Sequence, residues 1–209
     1  MRISNTVGIA SWILTCFYFI LEPFFIWSST VPYYFMEQAM SDLGVTACGE
    51  NTYALGIHEI CSPYHFWMNL LFIFNGITLA LGVLYIFQFL ERTWQTVLAT
   101  IFIVMLAIGN IFSGIFPADV DLFWHSLFVV IGMVTLFPGM WIYARFLSIG
   151  KKWTYLCLGL LVLVFLLIIS IIFVPMPNGL LQRLFYLIVF VWGTVLAWRL
   201  SRTTPTQQS

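Results

Sequence analysis

Charge is what this chain lacks. Lys, Arg, Asp and Glu together make up 8% of its 209 residues, against about 25% in an ordinary soluble domain. Apolar side chains take their place, at 62% of the sequence and a mean hydropathy of +1.01, more than an aqueous core of this size can enclose. The net charge is zero, so the whole-chain balance implies nothing about acidic partners, and no nucleic-acid partner is expected. Catalytic signatures are missing too: there is no nucleophile elbow and no H-E-x-x-H zinc motif. Internal repeats, long linkers and a soluble domain are equally absent from the pattern.

The pattern does contain six apolar runs, about 7–27, 66–90, 96–115, 122–146, 153–174 and 180–198. Each is close to the 20 residues needed to cross roughly 30 Å of hydrocarbon. The expected fold is therefore an all-α integral membrane protein, a six-helix bundle occupying residues 1–200, with a disordered cytoplasmic tail over 201–209. Only Arg2 precedes the first run and no small-residue cleavage site follows it, so it reads as an uncleaved span.

The few basic residues are distributed unequally. Under six spans, Arg2, Arg92, Arg145, Lys151, Lys152, Arg199 and Arg202 share one side, and Arg183 alone takes the other. That split predicts a multi-pass protein of the cell membrane with both termini cytoplasmic. The acids run the opposite way: Glu37, Asp42, Glu50, Glu59, Asp119 and Asp121 all fall on the outer side, with His58, His65 and His125. Glu22 lies within the first span, about one turn from its outer end. A carboxyl there is costly unless paired or neutral, and so is a functional candidate.

The first outer segment, 28–65, is long for so small a protein. Thr30 suits a helix cap, Pro32 a first turn and Gly44 a stop. Tyr33, Met36, Met40 and Leu43 recur at helical spacing. The expectation is a short amphipathic helix, either solvated at the interface or folded as a lid that turns Ser41 and Asp42 inward. Cys48 and Cys61 share this segment in an oxidising compartment and are expected to form a disulfide; zinc held by both thiolates and His58 matches no familiar spacing. Cys16 and Cys157 lie in spans and read as small apolar residues.

Further along, Pro117 ends the third span, and Asp119 or Asp121 can cap the fourth. Asp121 and His125 stand at i,i+4, where a carboxylate can orient an imidazole for base or metal-ligand chemistry. The alternative is an interfacial histidine with a local partner. His65 with Asn69, and Asn110 with Gly114, share helix faces and read as interhelical packing groups. Arg183, beside Gln182, is the one cation available to the outer acids, and Asp119 is its expected partner.

Four of these stretches occur in order between the spans: S-D-L-G at 41–44, S-P at 62–63, F-P-A-D at 116–119 with His125 downstream, and G-L-L-Q-R at 179–183. In this the chain resembles the prokaryotic six-helix membrane family catalogued as domain of unknown function 998. More distantly it is similar to the Frag–DRAM–Sfk group of eukaryotic membrane proteins. The resemblance implies the architecture and, by analogy with the eukaryotic group alone, a lipid-related role.

Three functions stay open. One is a non-enzymatic lipid-handling, sensing or protective protein, with membrane lipid as partner and the outer polar residues forming a network. Another is a lipid-directed hydrolase or transferase. Its catalytic candidates are Ser41, Asp42, Asp119, Asp121 and His125, with Arg183, Gln182, Asn69 and Glu22 binding substrate. A divalent metal cofactor would fall to His125, Asp119 and Asp121. The third is a small transporter resting on Glu22.

Overall fold

The structure is a computed structural model that describes residues 2–170 and 177–202. Six helices are long and apolar enough to cross a membrane. They are α1 (Asn5–Ser28), α2 (His65–Phe87), α3 (Trp94–Ile115), α4 (Leu122–Phe146), α5 (Lys151–Ser170) and α6 (Asn178–Ser201). The described residues contain no strand. Only helices can satisfy every backbone N–H and C=O within one segment in hydrocarbon, and uniformly apolar sequences of this length comply.

Each helix packs on the next in chain order, and α6 returns against α1 and α2 to close the bundle. Close approach is bought with small residues. Gly82 and Gly193 flank the buried Trp12 ring so tightly that a Cβ at either would overlap it. Gly109 and Gly132 bring the α3 and α4 backbones together in the same way. Trp12 and Trp192 meet edge to face at 5.8 Å in the centre of the core.

One end of the bundle gathers the chain's start, the α2–α3 and α4–α5 turns, and the end of α6. There the Ile3 N–H donates to the Gln88 side chain, which donates back to the Ile3 carbonyl, and Asn5 donates to the Ser201 carbonyl. The opposite end carries the long 29–64 loop. A 3-10 turn, Met40–Gly44, sits in this loop against α2 and α6.

The expected amphipathic helix over 30–44 is thus a single 3-10 turn. The reason is where its backbone groups go. Thr30, the expected cap, donates its N–H to the Cys61 carbonyl, while the carbonyls of Phe35, Met36 and Gln38 accept bonds from α6. A helix would have consumed those carbonyls internally. Farther along the loop, Gly49 and Ile60 exchange backbone bonds across an antiparallel bridge, and Cys48–Cys61 is disulfide-bonded beside it. Val45, Ile60 and Ala118 form a small apolar cluster that seats this part of the loop on the α3–α4 turn.

Helix ends differ slightly from expectation. Asp121 caps α4 by accepting the Trp124 N–H, as expected, whereas α6 begins earlier, at Asn178, and runs on through Ser201. Residues 171–174 of the expected fifth span, and 203–209 of the expected tail, lie outside the described residues.

Candidate functional site: a loop-capped polar cavity

At the loop-bearing end, Arg183 is 4% exposed and points into the bundle. Its guanidinium donates from Nε and Nη2 to Glu22 Oε1 at 2.9 and 2.7 Å. Nη1 reaches the carbonyls of Phe35 and Gln38, each at 3.0 Å. Nη2 also donates to the Tyr33 hydroxyl at 2.6 Å, and that hydroxyl passes its own proton to the Ala39 carbonyl. From the other side, Tyr18 donates to Glu22 Oε1 at 3.0 Å. The Phe35 ring covers the guanidinium at 4.3 Å. Both charges are thereby met by protein groups.

The expected Asp119–Arg183 pair does not form, because Glu22 lies nearer on the facing helix and Asp119 is occupied elsewhere. The Asp119 carboxylate accepts the N–H and hydroxyl of Thr46 and the N–H of Ala47, at 2.7–3.1 Å. Burial raises its pKa, but these donors outweigh burial and hold the carboxyl below its ordinary range. Asp42 faces the other balance. Burial raises its pKa, and the Tyr53 hydroxyl, which donates to it at 2.6 Å, and the Gln38 side chain only partly offset that.

The remaining expected residues separate. His125 does not engage Asp121, whose carboxylate is used as the α4 cap; the imidazole Nδ1 instead lies 2.8 Å from the Phe116 carbonyl. Asn69 donates to the Gly44 carbonyl and His65 Nδ1 contacts the Ser62 carbonyl. Among the described residues no group of three or more His, Cys, Asp or Glu could hold a metal ion, so His125, Asp119 and Asp121 do not converge as metal ligands.

Ser41, His125 and Gln182 do come together. They line a partly enclosed cavity of about 50 Å³ beneath the 3-10 turn, with Tyr18, Met40, Phe72, Asn75, Asn110, Ser113, Val129, Tyr186 and Phe190. Five helices supply its walls. Sequence reasoning named Asn110 only as packing glue and missed Asn75 and Ser113. An amide at 75 and another at 110 on neighbouring spans were the available signal, and in the structure Asn110 donates to Asn75 at 3.1 Å.

The four motif stretches explain how the cavity is covered. In G-L-L-Q-R, Gly179 leaves room for the Gln38 carbonyl, which a Cβ would approach to 2.2 Å. Leu180 donates its N–H to Met36, Gln182 accepts the Met40 N–H, and Arg183 takes the two loop carbonyls. In S-D-L-G, the Leu43 carbonyl accepts the hydroxyl of Ser62 from the S-P stretch, and the Gly44 carbonyl accepts Asn69. F-P-A-D supplies the Phe116 carbonyl to His125 and the Asp119 carboxylate to the loop.

Two outcomes follow. Glu22→Ala and Arg183→Ala should each lower stability by about 3–5 kcal/mol, because each strands a buried charge, whereas the paired Glu22→Gln/Arg183→Met variant should lose less than the sum. Thermal melting of the three variants in one detergent reads this directly. For Asp119, the folded pKa lies below the unfolded value of about 3.9. Its contribution is therefore complete above that value and is lost as pH falls through the folded pKa. Asp119→Asn should melt below wild type at pH 6, and the difference should shrink on acidification below about pH 4. A gap that is constant with pH would count against the carboxylate as the anchor.

No curated protein and no solved structure matches the chain, and the similarity to the Frag–DRAM–Sfk group is not shown. A family model does match, over residues 13–199, which include α2 to α5 whole and most of α1 and α6. The chain belongs to the family described as protein of unknown function (DUF998).

Proposed function

We propose that this is a non-enzymatic membrane protein that receives the polar end of a membrane amphiphile in its loop-capped cavity. One observation carries the reading: the cavity is lined by neutral polar side chains together with apolar ones, and its nearby charges are all engaged by protein groups. Asp42, Asp119, Asp121 and Arg183 hold the loop and the helix ends, and so are structural in this reading. About 50 Å³ accommodates several waters or a small polar group, not a whole lipid, so the apolar remainder of the ligand would lie outside it.

The loop-bearing end faces away from the cytoplasm in this proposal. Seven of the eight basic residues stand at the other end, and the Cys48–Cys61 disulfide suits an oxidising compartment. Intact cells treated with reductant and a membrane-impermeant maleimide should be labelled at Cys48 and Cys61, while Cys16 and Cys157 stay unmodified. Labelling of those loop thiols only after lysis would reverse the orientation.

A second reading keeps Ser41 as nucleophile and His125 as base in a lipid-directed hydrolase or transferase, since both line the cavity. It is the weaker one because the group that orients His125 is a backbone carbonyl, with every nearby carboxylate committed elsewhere.

The test is retention of bound amphiphile. Protein purified in mild detergent should carry lipid by native mass spectrometry, and Val129→Phe, which fills the cavity without removing a hydrogen bond, should lose it while melting within a few degrees of wild type. Equal lipid retention in both would overturn the reading, and turnover of the lipid by wild type alone would favour the hydrolase.

A further inference from the structure

The hydrogen-bond pattern around the cavity fixes which atoms are left for a ligand. A carbonyl oxygen can only accept, so His125 Nδ1, 2.8 Å from the Phe116 carbonyl, carries the proton. In the neutral ring Nε2 is then a bare acceptor. No donor reaches it among the described residues, although the Ser113 carbonyl also lies beside the ring and His125, 8% exposed, lines the cavity. The amides obey the same logic. Asn75 Nδ2 meets the Thr15 carbonyl and must be the donor, so Asn75 Oδ1 accepts from Asn110 Nδ2. That leaves Asn110 Oδ1 as a second acceptor without a partner among the described residues, on a side chain 6% exposed. Gln182 Oε1 accepts the Met40 N–H, which leaves its amide Nε2 as a donor. The hydroxyl of Ser41 is likewise uncommitted among the described residues.

Resting on the amphiphile reading above, we propose that the cavity selects a neutral, hydroxyl-bearing polar group of about glycerol size, whose O–H donates to His125 Nε2. Two bare acceptors on buried side chains call for donor hydrogens, and hydroxyls supply them while accepting from Gln182 or Ser41 in return. Leaving such acceptors unmet on buried side chains would be costly. Charge is selected against. No Asp, Glu, Lys or Arg lines the cavity, and the neighbouring Arg183 already spends its donors on Glu22, Tyr33 and two carbonyls. A phosphate or ammonium there would lack a counter-charge and lose its hydration. The chemistry is shared by monoacylglycerol or diacylglycerol headgroups and by a free polyol.

Thermal shift and microscale thermophoresis on full-length protein in detergent can read the preference with four probes: a monoacylglycerol, its fully O-methylated counterpart, phosphatidic acid and free glycerol. Monoacylglycerol should stabilise the protein and bind about tenfold or more tightly than the O-methylated lipid, which has the same shape but no donor. His125→Phe should remove that difference. Because the comparison of the two wild-type ligands needs no variant, it stands even where His125→Phe does not fold. Phosphatidic acid binding better than monoacylglycerol would overturn the selectivity and leave the amphiphile reading intact. Equal binding of the free-hydroxyl and O-methylated lipids would overturn the role of His125 Nε2. Glycerol binding as tightly as monoacylglycerol would support hydroxyl recognition and overturn the amphiphile. Binding of none of the four would overturn both.

Discussion

One buried ion pair organises the loop-bearing end of this protein. A guanidinium in hydrocarbon needs an opposite charge and an acceptor for each N–H. Glu22 supplies the charge but cannot supply all the acceptors, and the deficit is made up by Tyr33 and the carbonyls of Phe35 and Gln38. Those groups belong to the loop. Solvating Arg183 internally therefore means drawing the loop down onto α6, and Gly179 is the vacancy that lets it arrive. The cavity exists because the loop is held there: its roof, Met40 and Ser41, directly follows the stretch that Arg183 holds.

The polar residues that stand out in so apolar a chain are thus mostly fasteners. Asp119 grips the loop from the α3–α4 turn, Asn69 from α2, Ser62 from the loop's own far side and Gln182 from α6. Three elements outside the loop, together with its own far side, hold one irregular segment that has little regular structure to stabilise it from within. The cavity, by contrast, is lined by neutral polar groups such as Ser41, Asn110, His125 and Gln182 that keep free hydrogen-bonding capacity.

Much of the architecture was legible in the sequence, since hydropathy and length decide whether a segment can span a bilayer. The Cys48–Cys61 bond was legible as well, because only those two cysteines share a loop. Local periodicity misled at 30–44, where the apolar spacing of Tyr33, Met36, Met40 and Leu43 suggested a helix. Tertiary demand overrode it: the acceptors needed by Arg183 lie in that stretch. Partner choice was legible only in part. The need of Arg183 for a carboxylate was clear, but Asp119 and Glu22 both satisfied topology, and nothing linear reveals that Thr46 and Ala47 claim Asp119. The paired amides at 75 and 110 escaped notice for the same reason, since each looks like ordinary packing until α2 and α3 are placed side by side.

Glu22 and Arg183 are 161 residues apart. A ribosome delivers this chain from its N-terminus, so α1 enters the membrane with its carboxyl long before α6 exists. During synthesis of the four intervening helices the acid has no guanidinium, and the Tyr18 hydroxyl one turn earlier is the nearest donor on its own helix. The loop lacks its anchor for the same interval. Capping of the bundle is consequently among the last events of biogenesis, and a chain truncated before α6 carries an unmatched acid inside the membrane, a chemical mark of incompleteness.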